Sequence, residues 1–448
     1  MIRRLPPTQV HPTFIIISAG EAPVSTPSAP DLRPTPEGEI EAISAQAKSP
    51  RASAQLQALT SAAGDDRLDH KLLKKFGFDP KRFAADQARI AAGTLTEKSA
   101  LEARPLSPPS GVTEVSWSGA EADRLRAIGE KALQSGEVAV VVLNGGMATR
   151  FGGVVKGVVV VFDGQSFLEL KASDVARASK HYGAEIPLVL MNSFATQDST
   201  MEHVDERRGL GLGDDQLLTF TQSISVRMNL DGTIFTDDKG EPSYHAPGHG
   251  DFFESIVRSG VLDDLDRRGV KTILFSNVDN LAATIDPVVI GHHIASGADM
   301  TAELAEKRKT ASGEWDKGAS PVSIDGHLQL VEGFRLPSDL SPIDYPDLST
   351  NNFLFSLDAL KQDIPLERYA VKKKVKDQPV LQLESITCEA SGVLGSDGKP
   401  LLDLNLIRVP RDGVNGRFFP IKEPIDLETQ ASTLKERLHA GWRQRDEV

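Results

Sequence analysis

Two cations, Arg150 and Lys156, stand inside "LNGGMATRFGGVVKG", a glycine-rich segment that directly follows the apolar run "VAVVVL". Glycines after a buried strand allow a tight turn and let a ligand reach backbone N–H groups, an arrangement that suits phosphates. A Walker A loop would need its lysine followed by Ser or Thr, and here Gly157 follows Lys156. A dinucleotide fingerprint would open a long helix, whereas this segment runs toward a second apolar stretch. What fits is a loop that wraps a nucleoside triphosphate while Arg150 and Lys156 neutralise its phosphates.

Further polar clusters follow at the ends of apolar runs. "PLVLMNSFATQDST" closes on a group containing Asn192, and "FTQS" offers Gln222, an amide able to meet both a donor and an acceptor on a base edge. "HAPGHGDFFESIVRSG" places Gly248, His249 and Asp251 ahead of a helical pattern, where backbone amides favour an anion or a base carbonyl. "ILFSNVDN" ends in Asn277, Asp279 and Asn280. A carboxylate such as Asp279 at the C-terminal end of a strand is placed to hold Mg²⁺ against phosphates. Each residue also fits a plainer role: Asp279 as a helix cap, His249 as the partner of a loop carbonyl, Gln222 as a surface amide.

These clusters need a frame. Apolar runs "VAVVVL", "VVVVF", "IPLVLM" and "KTILFSNV" alternate with helical segments at 167–182, 251–268 and 286–297. Near-continuous Val/Ile/Leu strands separated by helices predict an α/β fold with a mostly parallel sheet covered on both faces. From about residue 300 the text predicts a substrate-side lobe, with a hairpin in "SPVSIDGHLQLVEGF" turning at Asp325-Gly326. Ahead of the sheet, the Pro/Ser/Ala-rich residues 1–53 read as a disordered leader. Residues 54–111 read as a helical segment broken at Gly77 and Pro80 and closed by the hinge "RPLSPPSG". The catalytic domain is expected over 112–428, opening with a helix capped by Ser118 and stopped at Gly136, and a C-terminal helix or tail over 429–448.

Composition narrows the partners. The 448 residues carry a formal net charge of −13, which argues against nucleic acid or an anionic membrane surface as a partner. No apolar run approaches the roughly 20 residues of a membrane helix, and the apolar core "FIII" near the N-terminus is shorter than the ~7–15 residues of a signal peptide. The single cysteine, Cys388, excludes an intramolecular disulfide and fits a reducing cytoplasm, the expected location.

From Val138 to Leu427 the string "LNGGMATRFG…K", "PLVLMNSF", "FTQS", "PGHGD", "SNVDN", "LVEG", "STNNFLF", "LQLES" and "RFFPIK" resembles the UTP–glucose-1-phosphate uridylyltransferase family, which also includes UDP-sugar pyrophosphorylase relatives. The resemblance implies a Rossmann-like, GT-A-like nucleotidyltransferase sheet. It implies Leu143, Gly145 and Gly146 in the nucleotide loop, Thr149 and Arg150 facing the triphosphate, and Lys156 on phosphate. Gln222 and Gly248 would contact uracil, with His249 beside the sugar phosphate or triphosphate. Asp279 would bind Mg²⁺, assisted by Asn277. Glu332 and one or both of Asn351 and Asn352 would hold sugar hydroxyls, together with Asn192, and Lys422 would bind phosphates from the far lobe. The implied reaction joins UTP to glucose 1-phosphate, releasing pyrophosphate. The same chemistry on galactose or N-acetylglucosamine 1-phosphate, or a UDP-sugar sensor without turnover, are the alternatives. Ala148, where the family usually has glycine, and a lysine without its preceding proline depart from the pattern. The C-terminal β-helix domain of many relatives is not expected after "RFFPIKEPIDL".

Overall fold

The computed structural model describes residues 65–96, 106–148, 153–309, 313–337, 340–341 and 343–446. The expected leader over 1–53 lies outside the described residues. The spine is built from strands β1 (Val112–Glu114), β2 (Val138–Leu143), β3 (Leu188–Asn192) and β4 (Leu217–Thr221), continued by β5 (Thr272–Asn277), β6 (Met300–Glu306), β7 (Asp347–Ser356) and β8 (Leu404–Arg408). They form one eight-stranded sheet in the order β1-β8-β6-β7-β5-β2-β3-β4. Only β7 runs against its neighbours, β5 and β6, so the sheet is mostly parallel as the apolar runs imply.

β2 shows why these strands are apolar throughout. Val138, Val140 and Val142 enter a core shared with α3 (Ala120–Gln134), α4 (Phe167–Tyr182), α8 (Pro287–Ser296) and α9 (Pro424–Asp446). Ala139 and Val141 enter a second core on the opposite face. That core holds Phe252, Phe253, Phe275, Phe353 and Phe355, whose ring centroids lie 4.9–5.9 Å apart. Such tilted and edge-on contacts add to the area term that drives burial. With both faces covered, alternation is lost and the strand reads as a continuous run.

Among the described residues, two short helices precede the sheet: α1 (His70–Lys75) and α2 (Pro80–Ala91). Asp69 and Asp79 cap them, accepting from the Leu72 amide and from the Lys81 and Arg82 amides, and Pro80 fits the first helical turn. Their apolar residues Leu73, Phe76 and Phe83 pack on Ile224, Val226, Met228, Leu381 and Leu383. The remaining helices are α5 (Gln197–Glu206), α6 (Phe252–Arg258) and α7 (Val261–Arg267).

Several expectations are corrected. The run "VVVVF" is not a buried sheet strand: Val160–Phe162 forms a small ribbon with Gln165–Ser166, and Val160 is 50% exposed. The helical stretch 251–268 is two helices, broken where Gly260 takes φ 76°. α3 is preceded by Gly119, and no side chain caps it, so Ser118 is not the cap. Within the hinge, Leu106–Ser107 pairs with Ser323–Ile324 beside the expected 320–331 hairpin, whose Asp325 and Gly326 both have positive φ. The segment beyond 300 supplies β6, β7 and β8 to the main sheet as well as lobe hairpins. α9 starts at Pro424 rather than 429, because Asp426 accepts from the Lys422 and Glu423 amides.

Candidate active site

The chain passes from β2 to β3 and β4 on one side, and β5 lies on the other side of β2. Between β2 and β5 the order therefore reverses, and the crevice beyond their C-terminal ends is where open α/β sheets bind ligands. Leu143 and Asn277 are paired there, and the Val278 amide donates to Leu143 O at 3.2 Å. The glycine-rich segment leaves from Leu143, turns back through an antiparallel pairing of Met147–Ala148 with Val154–Val155, and reaches Lys156, whose amide donates to Gly146 O at 3.2 Å. Thr149 and Arg150 lie outside the described residues.

One strap of backbone gathers the charged groups. Ile421 donates its amide to Asp279 O at 3.1 Å and accepts at its carbonyl from Lys156 Nζ at 2.7 Å. Lys156 is buried, with its ammonium over the Phe167 ring. The next residue, Lys422, is exposed. Lys156, Asp279 and Lys422, far apart in sequence, thus meet at the end of β5. Burial pushes the Asp279 carboxyl pKa up, while Lys156, Lys422 and Lys171 pull it down.

Lys171 was missed by sequence reasoning. It sits on the buried face of α4, and its Nζ donates to Ser276 Oγ at 3.1 Å, Asn280 O at 2.8 Å and Ala283 O at 3.1 Å. Burial lowers its pKa to about 8, against the pull of Asp174. Arg417 was missed too, and Asn280 was noted in its strand-end cluster without a role. Asn280 donates to Arg417 O and Asn352 Oδ1 and accepts from the Phe419 amide, and Arg417 makes a buried two-pronged pair with Glu303 at 2.7 and 2.8 Å. These contacts lock the turn that carries Asp279 to the strap that carries Lys422. The signal for Lys171 was present: it falls at the apolar spacing of Leu168, Val175 and Ala178, a core position occupied by a cation.

A second wall is built from neutral groups. The Gln222 amide group lies against Gly145, where an added Cβ would come within 3.1 Å of its Oε1. Gly248 has φ 86°, and a Cβ there would lie 2.5 Å from Ser385 O, so both conformation and space require glycine. The Pro247–Gly250 loop pairs with a segment far along the chain: the Ser385 amide donates to Pro247 O at 2.8 Å and the Gly250 amide to Ser385 O at 3.0 Å. Thr387 holds the His249 ring at Nδ1, with Oγ1 at 2.8 Å and the amide at 3.2 Å, while Thr387 Oγ1 donates to His249 O at 2.9 Å. Burial lowers the His249 pKa to about 4, so the imidazole is neutral near neutral pH.

The expected sugar-binding residues divide. Asn351, with φ 59°, donates from Nδ2 to Asn277 Oδ1 at 2.9 Å and joins the Asp279 side of the crevice. Asn352 points to the opposite face of β7 and is buried between Asn280 and Glu303. Asn192 is 0% exposed, accepting from Asn144 Nδ2 and donating to Gln197 Oε1. Its amide is committed to the protein, which overturns the sugar role drawn for it. Glu332 accepts from the Gly333 amide, and burial raises its pKa against that hydrogen bond.

Among the described residues no group of three or more His, Cys, Asp or Glu side chains could hold a metal by themselves. Mg²⁺ does not require such a cluster, because it is commonly held by one or two carboxylates and by substrate phosphates. One half-buried carboxylate, Asp279, with the Asn277 side-chain oxygen on the same segment, is a hard oxygen donor set of that type. No helix among the described residues is long and apolar enough to cross a membrane.

The family model for UTP–glucose-1-phosphate uridylyltransferase matches residues 111–442. The UTP–glucose-1-phosphate uridylyltransferase of Saccharomyces cerevisiae is 31% identical over 318 residues, covering 66% of this chain and 60% of that one. The probable UTP–glucose-1-phosphate uridylyltransferase of Schizosaccharomyces pombe is 29% identical over 316 residues, covering 66% and 59%. The chain thus spans about three fifths of the length of these curated relatives. A UDP-glucose phosphorylase structure from Trypanosoma brucei shares the fold with a TM-score of 0.64 at 21% identity, covering 84% of this chain and 79% of that one.

Proposed function

This chain belongs to the UTP–glucose-1-phosphate uridylyltransferase family, and from that premise we propose that it forms UDP-glucose and pyrophosphate from UTP and glucose 1-phosphate. The observation that carries the reading is the meeting of Lys156, Asp279 and Lys422 on one strap at the C-terminal ends of β2 and β5. A phosphate oxygen of the sugar phosphate attacks the α-phosphorus of UTP in line. The new P–O bond forms as the bond to the bridging oxygen breaks, and pyrophosphate leaves with that electron pair. Near neutral pH the attacking phosphate is already deprotonated, so no general base is needed, in keeping with a site of cations and amides.

The barrier lies in bringing two polyanions together and holding them aligned. Lys156 and Lys422 neutralise and orient the phosphates, and Arg150 is assigned to the triphosphate by the motif. Gln222 and the Gly248 backbone contact uracil, and neutral His249 lies beside the phosphates. Asn351 and Glu332 face the sugar. Asp279, with Asn277, would hold Mg²⁺, which supplies charge neutralisation to the phosphates when bound.

The test is pyrophosphate release by the purified chain from UTP, Mg²⁺ and glucose 1-phosphate, with galactose and N-acetylglucosamine 1-phosphates in parallel. The reading expects release with glucose 1-phosphate well above the others. Equal or greater release with another sugar moves the substrate. No release with any of them, while UDP-glucose still binds, makes the protein a sensor and directs attention to Ala148 and the missing proline.

A further inference from the structure

Asp251 is the last residue of "PGHGD" and has no place in the chemistry above. It is buried, at 6% exposure. Its Oδ2 accepts from the Ser223 amide at 2.6 Å, so it reaches from the loop carrying Gly248 and His249 to the residue next to Gln222. Arg258, one helix further on, completes the tie: Nη1 donates to Ser223 Oγ at 2.7 Å and Nη2 to Thr221 O at 3.3 Å. The Gln222 loop is therefore held from both sides of Ser223 by residues of a single element, the 249–258 helical turn.

That element is braced from outside the sheet. The turn between α1 and α2 sits on Arg258, so close that a Cβ on Gly77 would lie 2.7 Å from the guanidinium carbon. Arg82 of α2 pairs with Glu254 at 2.5 Å and donates to Leu366 O, and Asp86 pairs with buried Arg368. The cavity among these groups is only about 40 Å³, far below the ~300 Å³ at which small-molecule pockets begin. The cluster works on the loops and is not a ligand site of its own.

We propose that Asp251 is the positioning residue for base recognition, tying the Gln222 loop to the Gly248–His249 loop so that a uracil ring meets both at once, with α1 and α2 as its outer brace. The inference rests on the nucleotide reading given above. It also gives the two N-terminal helices a role at the site. The groups around Asp251 are Arg258 and Glu254 from its own element, Arg82 from α2, Asp79 at the α2 cap, and Arg368, with Asp86 behind Arg82 and Arg368. Burial raises the Asp251 pKa to about 6, with Glu254 adding to the rise and Arg258 and the Ser223 amide opposing it.

The raised value gives the inference a signature that a purely structural contact lacks. Folded Asp251 holds its proton to higher pH than an unfolded aspartate, so its own contribution to stability falls as pH rises from about 4 to about 6. Base binding runs the other way, since the ionised carboxylate is the better acceptor for the Ser223 amide. Acid should therefore loosen uracil binding without this group weakening the fold. His249, with its pKa near 4, stays neutral over most of this interval.

The experiment is calorimetric binding of UMP and CMP to the full chain and its Asp251→Ala and Asp251→Asn variants between pH 5.5 and 7.5, with thermal melts alongside. Asp251→Ala is expected to weaken UMP at least tenfold at pH 7.5 and to bring UMP and CMP within about threefold of each other. Asp251→Asn keeps an acceptor for Ser223 and cannot titrate. Its UMP affinity should change with pH only as the nucleotide's own phosphate dictates, while the native chain loses several-fold more toward pH 5.5. Native-like UMP affinity and UMP/CMP selectivity in Asp251→Ala would overturn the proposal, as would identical pH profiles for Asp251→Asn and the native chain. If Asp251→Ala does not fold, the Asp251→Asn profile decides alone. Because UMP binding is read without turnover, absence of pyrophosphate release from the native chain would count against the proposed reaction and leave this test standing.

Discussion

The two walls of the crevice solve different problems with different chemistry. On the phosphate wall, charged side chains converge from distant parts of the chain: Lys156 is hydrogen-bonded to a strap that carries Lys422 and is itself hydrogen-bonded to Asp279. On the base wall, the groups offered to a ligand are an amide, a glycine backbone and an imidazole kept neutral by burial. Asp251 and Arg258 stand one layer back from these groups, where they fix loops. A polyanion needs compensating charge at the contact itself. A neutral heterocycle needs fixed donors and acceptors, and its selectivity comes from groups left unpaired by the wrong base.

The largest test of this division is Asp279→Ala. Pyrophosphate release should fall by roughly 10²–10³, the usual effect of removing one electrostatic stabiliser of the transition state. UMP affinity should stay within a few-fold of native, because the base wall is intact. Equal loss of UMP binding would show that the two walls are not separable. Lys171→Met comes next. It strands the carbonyls of Asn280 and Ala283, at about 1–3 kcal/mol each for an unsatisfied buried acceptor. A lower melting temperature and a roughly tenfold drop in kcat are expected, with UMP affinity unchanged. An unchanged kcat would mean that the turn holds Asp279 without Lys171.

How much of this could be read beforehand differs between the walls in the same way. The sheet was legible in part because strands buried on both faces leave unbroken apolar runs, and the strand ends carrying Asn192 and Asp279 could be located from them. Of the motif residues assigned to the phosphates, Lys156, Asp279 and Lys422 come together. Which way each side chain points was not legible. Asn351 and Asn352 are adjacent in the text, and an irregularity of β7 at which Asn351 takes φ 59° sends one to the crevice and the other to the Arg417–Glu303 pair. The run at 158–162 is apolar enough for a central strand and lies in an outlying ribbon, since periodicity does not report pairing partners. Asp251, one residue from the glycines that drew notice, acts through a backbone amide in another loop, and such a tie leaves no spacing to find.

Asn351→Ala and Asn352→Ala sharpen the sugar side. Asn351→Ala should raise KM for glucose 1-phosphate roughly 3–10-fold, the worth of one hydrogen bond to substrate. Asn352→Ala should lower the melting temperature and leave that KM alone, because its amide meets only Asn280 and Glu303. The reverse pattern would place the sugar on the other face of β7.

The smallest expected effect on catalysis belongs to Asn192, and it separates a strand-end amide that binds from one that builds. Asn192→Ala removes the acceptor of Asn144 Nδ2 and the donor to Gln197. Asn144 Nδ2 keeps Thr200 Oγ1 as an acceptor at 2.8 Å, so the loss falls mainly on the Gln197 side chain. About 1–3 kcal/mol of stability should go, read as a lower midpoint in urea unfolding. KM for glucose 1-phosphate should remain within twofold of native, since no atom of the side chain reaches the crevice surface. A tenfold rise in that KM without loss of stability would return Asn192 to the sugar site and require the loop after β3 to open when substrate binds.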